Sequence, residues 1–158
     1  MTFNGLGVGL HNLFRLSPAR TRSISPENFT GEKGKGGTAL EGTGKVHARG
    51  LGPDGSGLGW KISPSIDIAS GETRVLADID GMGAIQHVWI TTAGLRWRDL
   101  ILRIYWDGQE APSVEVPLGD FFGMGHARSQ DFWSLPLQMS PEDGRGFNCW
   151  FPMPFRSA

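Results

Sequence analysis

The sequence predicts an all-β protein, an antiparallel β-sandwich or jelly roll with long glycine-rich loops and a few short helical turns. Two observations support this fold class. The 158 residues include 24 glycines and 10 prolines, which leaves almost no room for long helices. Short β-branched and aromatic stretches recur between the turn-forming segments at intervals of about ten residues, a spacing typical of sandwiches and barrels.

Three stretches have the strongest strand character. Residues 73–79 alternate apolar and polar side chains, and residues 85–92 are β-branched and aromatic. Residues 100–106 place Leu100, Leu102, Ile104 and Trp106 on one face, and Asp107-Gly108 then predicts a turn into a returning strand at 114–116. Weaker candidate strands are residues 45–47, 60–62, 66–68 and 149–151.

Short helical turns are predicted where a capping serine precedes a proline suited to the first helical position. This pattern occurs at Ser17-Pro18, Ser25-Pro26 and Ser140-Pro141, each without an amphipathic stripe after it. We assign one or two turns to each. In domain terms, residues 1–20 are predicted to form an N-terminal segment and residues 21–158 a single jelly-roll domain.

Charge and cysteine content argue against several classes of partner. The formal net charge of -1 provides no basic surface for nucleic acid or an anionic membrane. No apolar run approaches the roughly 18 residues that span a bilayer. No basic segment leads into an apolar one near the N-terminus, so a cytoplasmic chain is expected. The single cysteine, Cys149, is predicted to be a small buried residue.

The chain between residues 100 and 123 reads as strand, turn, strand and then a loop that combines a carboxylate with two aromatic rings. Asp120, Phe121 and Phe122 lie between Gly119 and Gly123 in this loop. His126 follows closely enough for its imidazole to share a cleft with the carboxylate. These four residues are therefore candidate substrate-binding residues, whereas Glu115 alternates with valines and is predicted to be a sheet-face residue.

The glycine-rich stretch from Gly31 to Thr38 resembles a phosphate-binding loop only superficially. Gly37 stands where that motif requires lysine, and no strand or helix flanks the segment. The stretch is better described as a loop whose Glu32, Lys33 and Lys35 hydrogen-bond hydroxyl groups or reach another subunit. The four histidines lack metal-ligand spacing, so no metal or cofactor is predicted.

The six tryptophans are many for a chain of this length. Trp60, Trp89, Trp106 and Trp150 are expected in the core, because sandwich interiors accommodate large flat side chains. Trp97 and Trp133 lie among polar residues. We predict that these two stack on a sugar ring or contact another subunit.

A series of motifs in order resembles the N-terminal half of glycoside hydrolase family 172, formerly a domain family of unknown function. The motifs lie at residues 22–28, 31–37, 76–79, 85–91, 102–108, 112–123 and 148–155. The resemblance implies a double jelly-roll protein, trimers that pair into hexamers, and hydrolysis of furanosides such as fructofuranosides or arabinofuranosides. It also implies a retaining mechanism with two glutamates, one acting as nucleophile and one as acid/base.

The resemblance places the glutamate pair in a half that follows residue 158, so no catalytic residue is assigned here. Near residue 30, relatives carry a Ser-Phe-Asp-Arg-Thr-Gly-Gly-Asn type motif, of which Thr30 and Gly31 match while the Asp-Arg pair is replaced. We therefore assign Thr30, Gly31, Glu32 and Lys33 to sugar binding without inheriting the family's substrates.

Three functions remain open from the sequence. The first is the N-terminal half of a furanoside-acting glycoside hydrolase that forms a trimer or hexamer, binds a furanoside-containing glycan and is inactive alone. The others are a structural assembly module and a non-catalytic carbohydrate-binding domain.

Overall fold

The computed structural model describes Phe14, Leu16 and residues 18–37, 64–94, 96–128, 130–140 and 146–158. These residues contain eight short strands, one single-turn helix and one 3-10 helical turn. The elements are β1 (Gly83–Ile85), β2 (Val88–Ile90), β3 (Ile101–Ile104), β4 (Val114–Pro117), α1 (Leu118–Phe121), the 3-10 turn (Gly125–Ala127), β5 (Phe132–Trp133), β6 (Leu137–Met139), β7 (Phe147–Cys149) and β8 (Met153–Phe155).

All strand pairs are antiparallel, and they form three sheets. β1 pairs with β8, β3 pairs with β4, and a four-stranded sheet has the order β2-β7-β6-β5. The predicted mostly β fold with antiparallel sheets and short helical turns is therefore confirmed. How the sheets close into a sandwich or jelly roll stays a prediction.

The core lies against one face of the four-stranded sheet. Residues on that face include Phe147 and Cys149 of β7 and Met139 of β6, all fully buried. The other buried apolar residues come from α1 and the segments beside it: Trp97, Leu118, Phe122 and Met124. The predicted burial of Cys149 is confirmed, and burial raises the pKa of its thiol despite an opposing hydrogen bond from the backbone of Phe151.

The chain divides into two compact units. One comprises Met1–Pro18 with Ile79–Ala158 and contains all the strands named above, and the other is Ala19–Asp78. The predicted division into residues 1–20 and 21–158 stays a prediction. No helix within the described ranges has the length and apolar character needed to cross a membrane.

The predicted strand at 85–92 is two strands that join different sheets. β1 pairs with β8 and β2 with β7, and the chain leaves strand geometry at Gln86 and His87 between them. The predicted strand at 73–79 is wrong. Val75 is well exposed, and no neighbouring strand in the described residues pairs with this stretch, although Ile79 and Ala158 exchange two backbone hydrogen bonds.

The predicted helical turn at Ser25-Pro26 is a tight turn instead. Ser25 and Asn28 exchange both backbone hydrogen bonds, at 3.2 and 2.8 Å, and the Ser25 hydroxyl accepts a bond from the Glu27 amide. This local side-chain bond competes with a helix. Residues 66–68 form no strand. The candidates at 45–47 and 60–62, together with Ser17 and Pro141, lie outside the described residues.

The predicted hairpin within residues 100–116 is confirmed. Leu102 pairs with Val116 and Ile104 with Val114, whereas Arg103 pairs with Glu115 on the opposite face, where Arg103 Nε donates to Glu115 Oε2 at 2.6 Å. Asp107 and Gly108 both have positive φ, 54° and 74°, and the Gln109 amide donates to the Trp106 carbonyl at 3.0 Å. This is the turn favoured by an Asp-Gly pair.

Asp107 also ties this turn to the end of the chain, which predicts a pH-dependent stability. Its Oδ1 accepts hydrogen bonds from the Arg156 and Ser157 amides at 2.6 and 3.1 Å, and these bonds lower the pKa of Asp107. Because the pKa of Asp107 is lower in the folded state, the stabilisation is fully present above the pKa of an unfolded aspartate, about 3.9. It is lost as the pH falls through the pKa that Asp107 has in the folded protein. Asp107→Asn keeps an acceptor but removes the charge, so its free energy of unfolding should fall below that of the wild type at neutral pH.

Urea denaturation between neutral and strongly acidic pH measures this difference, which should vanish on acidification. Asp99→Asn is the matched control, because Asp99 forms a surface ion pair with the exposed Arg96 three residues earlier. A constant difference between wild type and Asp107→Asn at every pH would contradict the assignment.

Candidate functional site

Part of the loop predicted between Gly119 and Gly123 belongs to the single-turn helix α1, which spans Leu118–Phe121. The Leu118 amide donates to the Leu100 carbonyl at 2.8 Å, and the Gly119 amide donates to the Trp97 carbonyl at 3.1 Å. A side chain at Gly119 would overlap the Trp97 indole, because a Cβ added there would lie 2.8 Å from the indole Cγ. Glycine at this position therefore lets the helix lie directly on the buried tryptophan.

Asp120 is held by an arginine that the sequence did not point out. Arg98 Nη1 donates to Asp120 Oδ1 and Oδ2 at 2.8 and 2.7 Å, and the carboxylate is the less exposed partner. Charge-assisted hydrogen bonds of this kind fix orientation as well as supply energy. The pair leaves further guanidinium donors and carboxylate lone pairs for hydroxyl groups.

Phe121 lines a shallow, open surface cavity of about 290 Å³ with a mostly apolar wall. The other lining residues are Trp106, Val114, Phe151, Met153 and Pro154. Trp106 is oriented by a near-parallel stack on Phe155, with ring centroids 6.1 Å apart and an interplanar angle of 13°. Aromatic faces of this kind match the apolar face of a sugar ring or an apolar side chain.

The other predicted residues after α1 have different environments. Phe122 is fully buried, packs edge-on against Phe121 and lies 5.2 Å from the Phe147 ring, so its side chain supports the site from within the core. His126 is exposed, and with Ala127 it has a positive φ, 63° and 52°. Two successive non-glycine residues in this conformation are unusual and are often found near functional sites.

The residues predicted at 30–33 belong to the other compact unit. Gly31 is buried with a φ of 63°, and a Cβ there would lie 3.0 Å from the Ile24 side chain. Asn28 Nδ2 donates to the Glu32 carbonyl at 3.0 Å, and the Thr30 hydroxyl donates to Asn28 Oδ1 at 3.2 Å. The side chains of Glu32 and Lys33 are exposed at this ordered turn.

The predicted roles of the tryptophans require three corrections. Trp97 is 2% exposed and forms part of the core, because its polar sequence neighbours point away while α1 covers its ring. Trp89 and Trp150, expected in the core, are exposed: Trp89 alternates with Val88 and Ile90, which pack against the core, and Trp150 stacks on the exposed His87. Trp133 is 68% exposed, and its stacking role stays a prediction.

Sequence reasoning missed Arg98 and the cavity residues that lie in β8 or just before it: Phe151, Met153 and Pro154. Arg98 lies 22 positions before Asp120 and has no sequence signal beyond its charge, whereas Met153 and Phe151 belong to a motif of the resemblance. Within the described residues, no three histidine, cysteine, aspartate or glutamate side chains form a group able to hold a metal ion.

These features define a β-rich protein with an aromatic cavity that Phe121 lines and, at the preceding residue, a carboxylate held by an arginine. Comparison with protein families identifies a match to the family described as GH172 domain-like over residues 61–158. This match covers more than half of the chain, so the chain belongs to the GH172 domain-like family, as the motif order predicted. Among curated proteins, none matches significantly.

Proposed function

We propose that this chain is the sugar-binding, N-terminal part of a furanoside-acting glycoside hydrolase. The observation that supports it best is the position of Phe121 in the aromatic cavity, next in sequence to the Asp120 carboxylate that Arg98 holds. Its family membership relates the chain to glycoside hydrolases. In this proposal the substrate is a carbohydrate with a furanoside ring.

The cavity and the ion pair have complementary tasks. Trp106, Phe121 and Phe151 bind the apolar face of the ring, where water is displaced from aromatic surface. Asp120 accepts and Arg98 donates hydrogen bonds to ring hydroxyls, with an orientation set before the sugar arrives. Preorganised polar groups of this kind bind without a large ordering cost.

Bond cleavage is assigned to other carboxylates. A retaining glycosidase needs a nucleophile and an acid/base about 5–5.5 Å apart. Glu115 is tied to Arg103 on a sheet face and Asp120 is tied to Arg98, so each serves as an ion-pair partner. We therefore expect the 158-residue chain by itself to bind a furanoside without hydrolysing it.

Self-association into a trimer or hexamer is part of the proposal. The large apolar side chains of Met82 and Leu135 are 87% and 96% exposed, and such groups are common where subunits meet. Light scattering on the purified chain measures this state, and a monomer at all concentrations would contradict it.

Phe121→Ala tests the binding site directly. Calorimetric titration with a methyl furanoside should show affinity reduced by roughly tenfold, because one aromatic wall is lost. Phe14→Ala is the control, since Phe14 is a largely exposed phenylalanine outside the cavity. Circular dichroism checks that both variants fold.

Two results would contradict the proposal. Equal affinity of the wild type and Phe121→Ala for the methyl furanoside would show that the cavity is not the binding site. Robust turnover of an aryl furanoside by the purified chain, lost on changing Asp120 or Glu32, would contradict the assignment of cleavage to other carboxylates.

A further inference from the structure

The outer face of the four-stranded sheet presents a row of four side chains, one from each strand. The strand register places Trp89 opposite Asn148, Asn148 opposite Gln138, and Gln138 opposite Trp133. Residues directly opposite in antiparallel strands lie on the same face. We call these four residues the outer row.

The row has an indole at each end and two carboxamides between them. Trp89 is 54% exposed and Trp133 is 68% exposed, whereas Asn148 and Gln138 are half-buried. The opposite face of the same strands carries the fully buried Phe147, Cys149 and Met139. The core is thus packed against the opposite face of the sheet, and the two exposed indoles have no part in it.

The centre of the row is held in a fixed orientation. Asn148 Oδ1 is 3.0 Å from His87 Nε2, and Asn148 Nδ2 donates to the Gly146 carbonyl at 3.3 Å. The His87 ring in turn stacks on Trp150, with centroids 5.0 Å apart and an interplanar angle of 15°. These contacts set the carboxamide before any ligand binds.

The chemistry of the row selects an uncharged, hydroxyl-rich ligand. All four residues are uncharged, so a phosphate, a carboxylate or a basic peptide would find no opposite charge in it. Indole faces bind apolar ring surfaces, and carboxamides both donate and accept hydrogen bonds as hydroxyl groups do. The two indoles are separated by three strand spacings, about 14 Å.

We propose that the outer row is a second carbohydrate-binding surface. It binds a linear, neutral oligosaccharide whose long axis runs perpendicular to the strands. The terminal indoles stack on separate sugar rings, and Asn148 and Gln138 bind hydroxyls between them. The row shares no residue with the cavity that Phe121 lines. The inference extends the carbohydrate class of the proposed function, but its geometry does not depend on that cavity.

Titration of the full 158-residue chain with arabinan-derived and cellulose-derived oligosaccharides, from disaccharide to hexasaccharide, tests this surface. Calorimetry should show affinity that rises with length until both indoles are covered. Trp133→Ala should abolish that rise and weaken binding of the longest probe by roughly tenfold, while leaving methyl furanoside binding unchanged. Trp133 lies at the sheet edge and is well exposed, so its removal should preserve the fold.

Val75→Ala is the matched control, because Val75 is a 69% exposed apolar residue outside the row. Its binding of every probe should equal that of the wild type. Phe121→Ala separates the two sites: it should weaken methyl furanoside binding and leave the length dependence intact. A wild-type chain that shows this length dependence but binds no methyl furanoside would contradict the proposed function while this inference stands.

Any of three results would overturn the inference. The first is length-independent binding, and the second is binding of the longest probe that Trp133→Ala does not change. The third is a change in oligomeric state, seen by light scattering, when Trp133 is replaced, since the face would then be a contact between copies of the chain.

Discussion

Gly119→Ala is expected to destabilise the protein by about 3 kcal/mol, at the upper end of the cost of overpacking a core. In an open helix this change would stabilise by up to roughly 1 kcal/mol, because alanine has the higher helix propensity. Here the new methyl group overlaps the Trp97 indole, whose Nε1 would lie only 3.0 Å from the added Cβ. Trp97 is 2% exposed and has no space to move, so steric overlap outweighs propensity.

Thermal unfolding followed by circular dichroism measures the effect, which corresponds to a melting temperature lower by roughly 6 to 12 °C. Gly125→Ala is the matched control. Gly125 lies in the 3-10 turn of the same unit, has no positive φ, and has open space where a Cβ would be added. A Gly119→Ala variant as stable as Gly125→Ala would show that α1 does not rest on Trp97 as described.

Phe147→Ala is expected to have the largest effect of the truncations proposed, about 3–5 kcal/mol. Phe147 is fully buried on β7, makes an edge contact with Trp97 at 5.5 Å, and lies 5.2 Å from Phe122. It therefore joins the four-stranded sheet to the segment beneath α1. Its loss leaves a cavity that β-sheet backbone cannot easily fill.

Urea denaturation gives the free energy of unfolding of each variant. Phe151→Ala makes the same chemical change at a residue that is 44% exposed and should cost less than half as much. Phe147→Leu keeps most of the apolar volume and should cost less than about 1.5 kcal/mol, so it remains measurable if the alanine variant fails to fold. Equal losses at positions 147 and 151 would contradict a core centred on Phe147.

Local sequence patterns predicted the parts of the fold that local interactions decide. The alternation at Leu102 and Ile104 and the Asp107-Gly108 turn describe a hairpin whose partners are near in sequence, and the structure confirms it. The same reasoning failed at 73–79, where alternation was present but no partner strand lies beside the segment in the described residues. Alternation shows that a strand is compatible with the sequence, but pairing requires a neighbour.

The candidate site was only partly predictable for a similar reason. Asp120 and Phe121 were identified from composition, and the structure places both on α1 as half-buried residues. Phe122 has the same sequence context as Phe121 but points into the core, because successive residues of one helical turn face different directions. Arg98 was identified only from the structure, where its guanidinium binds the carboxylate of Asp120, 22 positions later in the sequence.

The sequence by itself determined an all-β, antiparallel fold, the hairpin within residues 100–116, and membership of the GH172 domain-like family. Glycine, proline and alternating apolar residues influence the backbone conformation of only a few neighbouring positions. The order of the family's motifs can be recognised without any knowledge of tertiary contacts. Only the tertiary structure decided that Trp97 is core, that Trp89 and Trp133 are exposed on one face, and that Arg98 holds Asp120. Those outcomes depend on strand register and on long-range packing, which place residues far apart in sequence within reach of one another.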